Sequence, residues 1–534
     1  MRSTSRPTMI CHLTLRRATK VVRTGAMVGL CAAITVTISS CDKAISITEV
    51  GAPLRPSNVD AGAGAWRMIV MTGPDQLAVP APTAATSDAF LAEVAAVKTA
   101  QSNMTDAQRR ALSVWSAGGV LHWNEIQRGL VARYNLPPAP RADGTYPVPD
   151  AENPFANPQF PFSNPPYASR AYSYVSVAQY EALKAAWYWK YKYNRPSPAR
   201  ADASVKTLVA PSDLPGYPSE DAVLSGVTAE MLKSLFPEAV EEITKAAAEQ
   251  RDAAVLSGRA TASDVAAGLA LGKAVAGLVL ARAANDGMKN AVGTPALWQS
   301  QAAAATARGE IAWVSQESPA RPGMLANFGQ VKAWTMTPAE VVAAESPAPP
   351  STSSQQMKDE LAEVRNTVNN LARDQVAIAL KWNDGVGTPT PPGHWNAIAS
   401  DYVRSAQMSE VRAARAFALL NMAMHDVAVG CWDTKYRYYN PRPAQLDPSI
   451  KTFIGLPNFP SYPSGHSTFS SAAATTLGYL FPDGATSFNS MAAEAGMSRL
   501  YGGIHYRSDI TGGSEHGKRV GAAVVSFARA DGAP

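Results

Sequence analysis

Three clusters near the end of this 534-residue chain hold the residue types that anion chemistry needs. The first is Lys435 followed by Arg442-Pro443, the second is Pro463-Ser464-Gly465-His466, and the third is Ser498-Arg499 with His505 and Asp509. A tetrahedral oxyanion such as phosphate or vanadate is multiply charged and stays away from water only against matched cations and donors. Lys435, Arg442 and Arg499 supply three cations; arginine suits two-pronged contact with anionic oxygens and lysine a point charge. Gly465 has no side chain, so a backbone N–H can approach closely, and Ser464 adds a hydroxyl. The small residues from Ser464 to Leu480 predict a helix whose N-terminus would aim free N–H groups at the anion.

Two histidines remain for bond making. His505 can bond a central atom through one ring nitrogen while Asp509, four residues on and close to one helical turn, holds the other. His466, beside the anion cradle, can act as general acid or base. A lone Arg-Pro or Ser-Gly-His has little meaning, and a His–Asp pair at helical spacing is more often structural. The three clusters in order are what point to a site. The remaining histidines read otherwise: His425 as a packing position, His122 and His394 (each before Trp-Asn) as lining entrances or, more often, as core packing, His516 as solvated on a polar helix face, and His12 as part of a leader. None is given a metal.

The elements that must position these residues are helices. Alternating β-branched runs between turn residues are scarce, so the fold class is all-α. Length suggests two or more domains. The boundaries read as residues 1–41, a leader; 42–86, an irregular entry segment; 87–290, a helical bundle; 291–356, a connecting region; and 357–534, a second helical bundle. The Pro-rich stretch Leu136 to Tyr167 is expected to be loop. Met336 to Gln356, centred on Ser346-Pro347-Ala348-Pro349-Pro350, reads as a linker.

The two bundles repeat each other. Trp187 and Trp432, Lys190 and Lys435, Pro218-Ser219 and Pro463-Ser464, Phe236-Pro237 and Phe481-Pro482, and Asp264 and Asp509 all lie 245 positions apart. Arg195-Pro196 matches Arg442-Pro443 after a two-residue slip. So many matches at one offset predict a duplicated bundle. The copies differ where chemistry would be: Gly465 and His466 face Glu220 and Asp221, and Ser498, Arg499 and His505 face Ala253, Ala254 and Ala260. The first copy gains acids and loses cations, so it is expected to be structural and only the C-terminal copy catalytic. A non-enzymatic anion-binding protein with a relic site would have decayed in both copies, which this asymmetry opposes.

The clusters resemble the superfamily shared by vanadium-dependent haloperoxidases and type 2 phosphatidic acid phosphatases, fully over about residues 380–530 and weakly over about 170–290. The resemblance implies a helical bundle holding vanadate, with phosphate able to occupy the same place. His505 then looks like the residue that binds vanadium or becomes phosphorylated. His466 looks like the acid–base residue, and Lys435, Arg442, Ser464, Gly465 and Arg499 look like the cradle. Three local features lean to haloperoxidase: the run Phe459 to Phe469; Trp432 and Phe459 at aromatic positions seen beside vanadate in chloroperoxidases; and Gly503 to Asp509. The implied activity is halide oxidation by hydrogen peroxide at a histidine-bound vanadate. The alternative is an exported acid-phosphatase-type phosphomonoesterase acting on a phosphate ester through a phosphohistidine.

Charge and cysteine content bound the setting. The first forty residues hold six basic and no acidic residues; the rest carries 42 basic against 43 acidic, which leaves no nucleic-acid footprint. That basic start precedes an apolar stretch from Gly25 to Ile38, the pattern of an export signal. Ile38-Ser39-Ser40-Cys41 resembles a bacterial lipoprotein cleavage site, with lipid on Cys41 as the membrane contact. An ordinary signal peptide or a single anchor is the rival. The expected location is the periplasm or cell envelope of a bacterium. Of Cys11, Cys31, Cys41 and Cys431, only Cys431 would stay free in the mature chain, so no disulfide framework or CxxC metal site is expected.

Overall fold

Helix-start signals act where they stand. A computed structural model describes residues 52–134, 165–210, 212–318, 320–385 and 387–534. The leader, Cys41 and most of the Pro-rich stretch lie outside the described residues. Among the described residues every regular element is a helix and none is a strand, so the protein is all-α. The Ser87 hydroxyl accepts the Phe90 N–H and opens Asp88–Ser102; Ser219, Ser409 and Ser464 do the same for Glu220–Leu235, Glu410–Tyr438 and Gly465–Leu480. Such a cap satisfies an otherwise unpaired donor, typically for about 1 kcal/mol. Pro165 and Pro166 stand in the first turn of Pro165–Tyr193. A proline there removes only a donor that the helix leaves unpaired anyway, so the helix starts inside the stretch expected to be loop.

The helices recur at one spacing. Pro165–Tyr193, Pro198–Ala201, Glu220–Leu235, Val240–Leu256 and Ala262–Ala284 have the same lengths as Glu410–Tyr438, Pro443–Leu446, Gly465–Leu480, Ala485–Tyr501 and Arg507–Arg529, each 245 residues on. A buried ion pair repeats too. Arg170 Nε donates to Asp286 at 2.7 Å, and Arg415 Nε to Asp531 at 2.7 Å. Each ties a long helix to the chain leaving the last helix of its block.

Pro165–Tyr193 and Glu410–Tyr438 pack against each other and are buried along nearly their whole lengths, as expected of helices without a solvent face. Their apolar side chains belong to one continuous core that runs through both blocks, and Thr48–Pro534 form one compact unit.

Close helix crossings complete the frame. A Cβ on Gly517 would lie 2.4 Å from the Thr468 carbonyl oxygen, and one on Gly272 would lie 2.2 Å from that of Val223. Only glycine permits such contact, so Arg507–Arg529 lies directly on Gly465–Leu480. One consequence is a 2.9 Å bond from the Ser464 N–H to the Asp509 carbonyl, which brings two of the chemical clusters together. Among the described residues one helical stretch, Ala262–Asn290, is long and apolar enough to cross a membrane by length and composition. It carries Gly272 and packs on Glu220–Leu235.

Two expectations need correction. The supposed linker is built into the fold: Pro338–Ala344 is helical, the Ser346 hydroxyl donates to the Gly512 carbonyl, and the Pro347 carbonyl accepts from Tyr462 at 2.6 Å. Prolines there shape a strap on the second block instead of freeing it. His516 is fully buried, with its ring against Gly430. The missing side chain at Gly430 makes the space that the helix pattern could not reveal.

Candidate active site

Each chemical residue sits at an element end, where backbone groups are free to bind. Lys435 lies in the last turn of Glu410–Tyr438, with Trp432 one turn earlier on the same face. Tyr439, left-handed at φ 58°, ends that helix and turns the chain toward Arg442, which precedes the short helix Pro443–Leu446. Ser464 is the N-cap and Gly465 the first residue of Gly465–Leu480, close to the helix predicted. Arg499 occupies the last turn of Ala485–Tyr501. His505 follows Gly503, whose φ of +75° suits glycine, and Asp509 lies in the first turn of Arg507–Arg529.

The fold brings these residues together. His505 Nδ1 lies 2.7 Å from Asp509 Oδ2, which also accepts the Ser461 hydroxyl at 2.6 Å and the Tyr506 N–H at 3.1 Å. A carboxylate can only accept, so Nδ1 carries the ring proton and Nε2 keeps its lone pair. Arg442 Nη1 stands 3.0 Å from that Nε2 and 2.9 Å from the Ile504 carbonyl, while its other nitrogens donate to the Phe459 carbonyl. Lys435 Nζ donates to the Pro460 and Ser461 carbonyls at 3.1 and 2.8 Å, and to that of Pro463. Arg499 donates to the Ser498 hydroxyl at 2.9 Å and to the Trp382 carbonyl.

Three buried cations thus share few carboxylates. Burial disfavours their charged forms: Lys435 is pulled down to about 7, Arg499 to about 9 and Arg442 to about 10. Burial, reinforced by the neighbouring cations, also holds His466 and His505 well below the usual imidazole range. Asp509 is raised by burial despite its donors. An anion would reverse these penalties.

A cavity of about 450 Å³ opens over this ground. Gly465, His466, Arg499 and His505 line it, together with Trp432, Phe459 and Phe469; Lys435, Arg442, Ser464 and Asp509 stand behind the lining. The Trp432 and Phe459 rings are 5.0 Å apart, and the Phe459 ring lies 5.1 Å from Lys435 Nζ and 5.2 Å from the Arg442 guanidinium. Phe459 therefore covers two cations with an electron-rich face. A Cβ on Gly465 would meet nothing nearer than Phe469 at 3.9 Å, and His466 Nε2 and the Ser467 hydroxyl are buried without a hydrogen-bond partner. These are the features of a cradle with room and donors for a tetrahedral oxyanion, so vanadate or phosphate fits this donor set.

The first block shows the same ground altered. Lys190 Nζ meets the Glu220 carboxylate at 2.7 Å, so a side-chain anion lies beside the lysine. Arg195 bonds Asp264 directly; in the second block His505 stands between Arg442 and Asp509. Ala260, in place of histidine, leaves that gap to close.

Sequence reasoning missed four residues here. Ser461 braces both Asp509 and His505, at 2.6 and 3.3 Å; its place three residues before Ser464 was the available signal. Trp382, Asp384 and His394 form the wall beside His466 and Arg499. The Trp382 carbonyl accepts from Arg499, and Asp384 Oδ2 lies 3.7 Å from His466 Nε2. His394, for which core packing is the stronger of two expectations and an entrance the other, bonds the cavity residue Asp384 with its side chain 24% exposed. A Trp-Asn-Asp-Gly run reads only as a turn.

Lys435 makes a pH prediction. Its ammonium loses its proton near pH 7, and an anion binds the charged form, so affinity is full below that point and falls above it. Sulfate, which does not titrate in this range, is expected to bind more weakly from pH 7 to 8.5, approaching about tenfold per pH unit. A flat calorimetric profile would show that Lys435 does not serve the anion.

With this geometry in hand, residues 415–532 are found to match the PAP2 superfamily. The chain is 39% identical over 69 residues to the lipid A 1-phosphatases of Rhizobium etli and Rhizobium johnstonii, covering 13% of this chain and 30% and 28% of those proteins. It therefore spans less than a third of either relative's length. A crystal structure described as the first bacterial vanadium-dependent iodoperoxidase aligns with a TM-score of 0.53 at 22% identity, over 68% of this chain and 91% of that one. A holo-type bacterial vanadium-dependent chloroperoxidase aligns with a TM-score of 0.50 at 13% identity, over 72% and 96%. At these identities the likeness is one of fold.

Proposed function

We propose that the protein is a vanadium-dependent haloperoxidase-like enzyme that oxidises halide with hydrogen peroxide. The observation that carries the oxyanion reading is His505 Nε2, oriented through Asp509 at 2.7 Å and set among three buried cations. The peroxidase reading is supported by Trp432 and Phe459, which wall the cavity above the cradle at positions seen beside vanadate in the family the sequence resembles. Bound vanadate would supply a Lewis-acid centre for activating peroxide toward halide. His505 Nε2 would hold it. Lys435, Arg442, Arg499 and the N–H groups at Gly465 would draw negative charge off its oxygens. His466 Nε2, buried and without a partner, would take or give the proton at the reacting oxygen. Trp432 and Phe459 would keep bulk water from the cations.

The second reading, a phosphomonoesterase, is favoured by the 69-residue likeness to lipid A 1-phosphatases. His505 Nε2 would attack phosphorus and break the ester P–O bond while His466 protonates the leaving alcohol. Water would then cleave the P–N bond and restore His505. In either reading the first block is a structural partner, its lysine neutralised by Glu220. The leader reading makes the enzyme exported, with lipid on Cys41.

The test is halide oxidation with peroxide by folded, vanadate-loaded protein, run beside p-nitrophenyl phosphate hydrolysis. Vanadate-dependent oxidation of chloride, bromide or iodide is expected. Inactivity toward all three, with phosphate-ester turnover that vanadate inhibits, would replace the first reading by the second.

A further inference from the structure

His466 has one carboxylate within 4 Å of its ring among the described residues, that of Asp384 at 3.7 Å. That distance is too long for a hydrogen bond, so the link is electrostatic or carried by a bridging water. Asp384 is not committed to His466 alone. Its two oxygens lie 3.0 and 3.3 Å from Nδ1 of His394, ten residues further on in helix Thr390–Ser405. The His394 ring stacks on Trp382, centroids 4.3 Å apart and planes 22° apart. Trp382 is in turn pinned by its indole bond to Glu494 at 2.7 Å and by its carbonyl bond from Arg499. Of the three ionisable groups, His394 is the most exposed at 24%, against 16% for His466 and 8% for Asp384.

We propose that His394 and Asp384 are positioning residues for His466, and that the charge on His394 sets how much of the Asp384 carboxylate acts on the His466 ring. The inference rests on His466 as the acid–base residue and is the same for vanadate and phosphate. A neutral His394 leaves the carboxylate free to favour a proton on His466; a charged His394 competes for it. Two other charges face this group: the Asp384 carboxylate also favours the charged form of Arg499, and Arg499 and His505 both disfavour a proton on His466. Lys381 pairs with Glu494 at 2.6 Å. On the helices packed against Thr390–Ser405, Arg170 pairs with Asp286, Arg415 with Asp531 and His122 with Glu125; Asp426 is held by Trp334 and Thr335, and Arg128 donates to Asn124.

The test needs no turnover, so it stays separate from the choice of reaction. In the full chain with ring-labelled histidine, assigned by His394→Gln and His466→Gln, the ring nitrogen resonances are followed against pH. The His466 signal is expected to show an inflection at the pH where His394 titrates. Asp384→Asn should remove that inflection and Asp384→Glu should keep it, with thermal melts verifying that both variants fold. No inflection in the unaltered protein, or one that survives Asp384→Asn unchanged, would overturn the proposal.

Discussion

Replacing His505 by alanine is expected to lower kcat by at least about 10³-fold, whichever oxyanion chemistry the site performs. The ring is buried in the cavity wall with a lone pair that its surroundings have fixed in direction. Asp509 holds Nδ1 at 2.7 Å, and Arg442 faces Nε2 at 3.0 Å. The variant should still fold, because the first block already shows the outcome: Ala260 stands in the corresponding place, and Arg195 closes directly onto Asp264. The expected result is a soluble protein with an unchanged melt, little bound vanadate and almost no turnover. Turnover within about tenfold of the parent would mean that another group makes the bond to the central atom.

Gly465→Glu is expected to disable the cradle by supplying an anion from within. The first block again serves as the template, since Glu220 opens the helix Glu220–Leu235 and meets Lys190 at 2.7 Å. The helix therefore tolerates glutamate at its first position, where the helix dipole favours an acid. In the second block the new carboxylate would enter the open space in front of Gly465 and pair with Lys435. Sulfate and vanadate affinity should fall by about 10² or more, the scale of a lost charge-assisted contact plus a repelling charge. Unchanged sulfate affinity by calorimetry would show that the anion lies elsewhere in the cavity.

Much of this was legible along the chain, for particular reasons. Ser464 before a run of small residues marks a helix N-terminus, because a cap hydroxyl and its orphan N–H are three residues apart in sequence. His505 and Asp509 meet because four residues span about one helical turn. The equal spacing of lysines, prolines and aspartates in the two blocks foretold helices of equal length, since each block sets its own caps and stops. Local rules failed where a partner came from far away. The prolines of 347–350 signal irregular backbone and are silent on Tyr462 as a partner for Pro347. The helical period of His516 gives its angle on the helix and no hint of the gap beside Gly430.

By itself, the sequence determined which residues carry the charge, the lone pair and the helix N-terminus, because these are properties of residue type and of spacing within a turn or two. It also determined that only one block holds the full set, since Glu220, Asp221, Ala254 and Ala260 are substitutions in the chain itself. Tertiary structure alone decided that three cations lie buried together with few carboxylates among them, because burial depends on helices hundreds of residues apart closing on one another. It also set Asp384 and His394 beside His466. Their side chains converge through packing between Thr390–Ser405, Gly465–Leu480 and the turn after Lys381, and no spacing along the chain encodes that meeting.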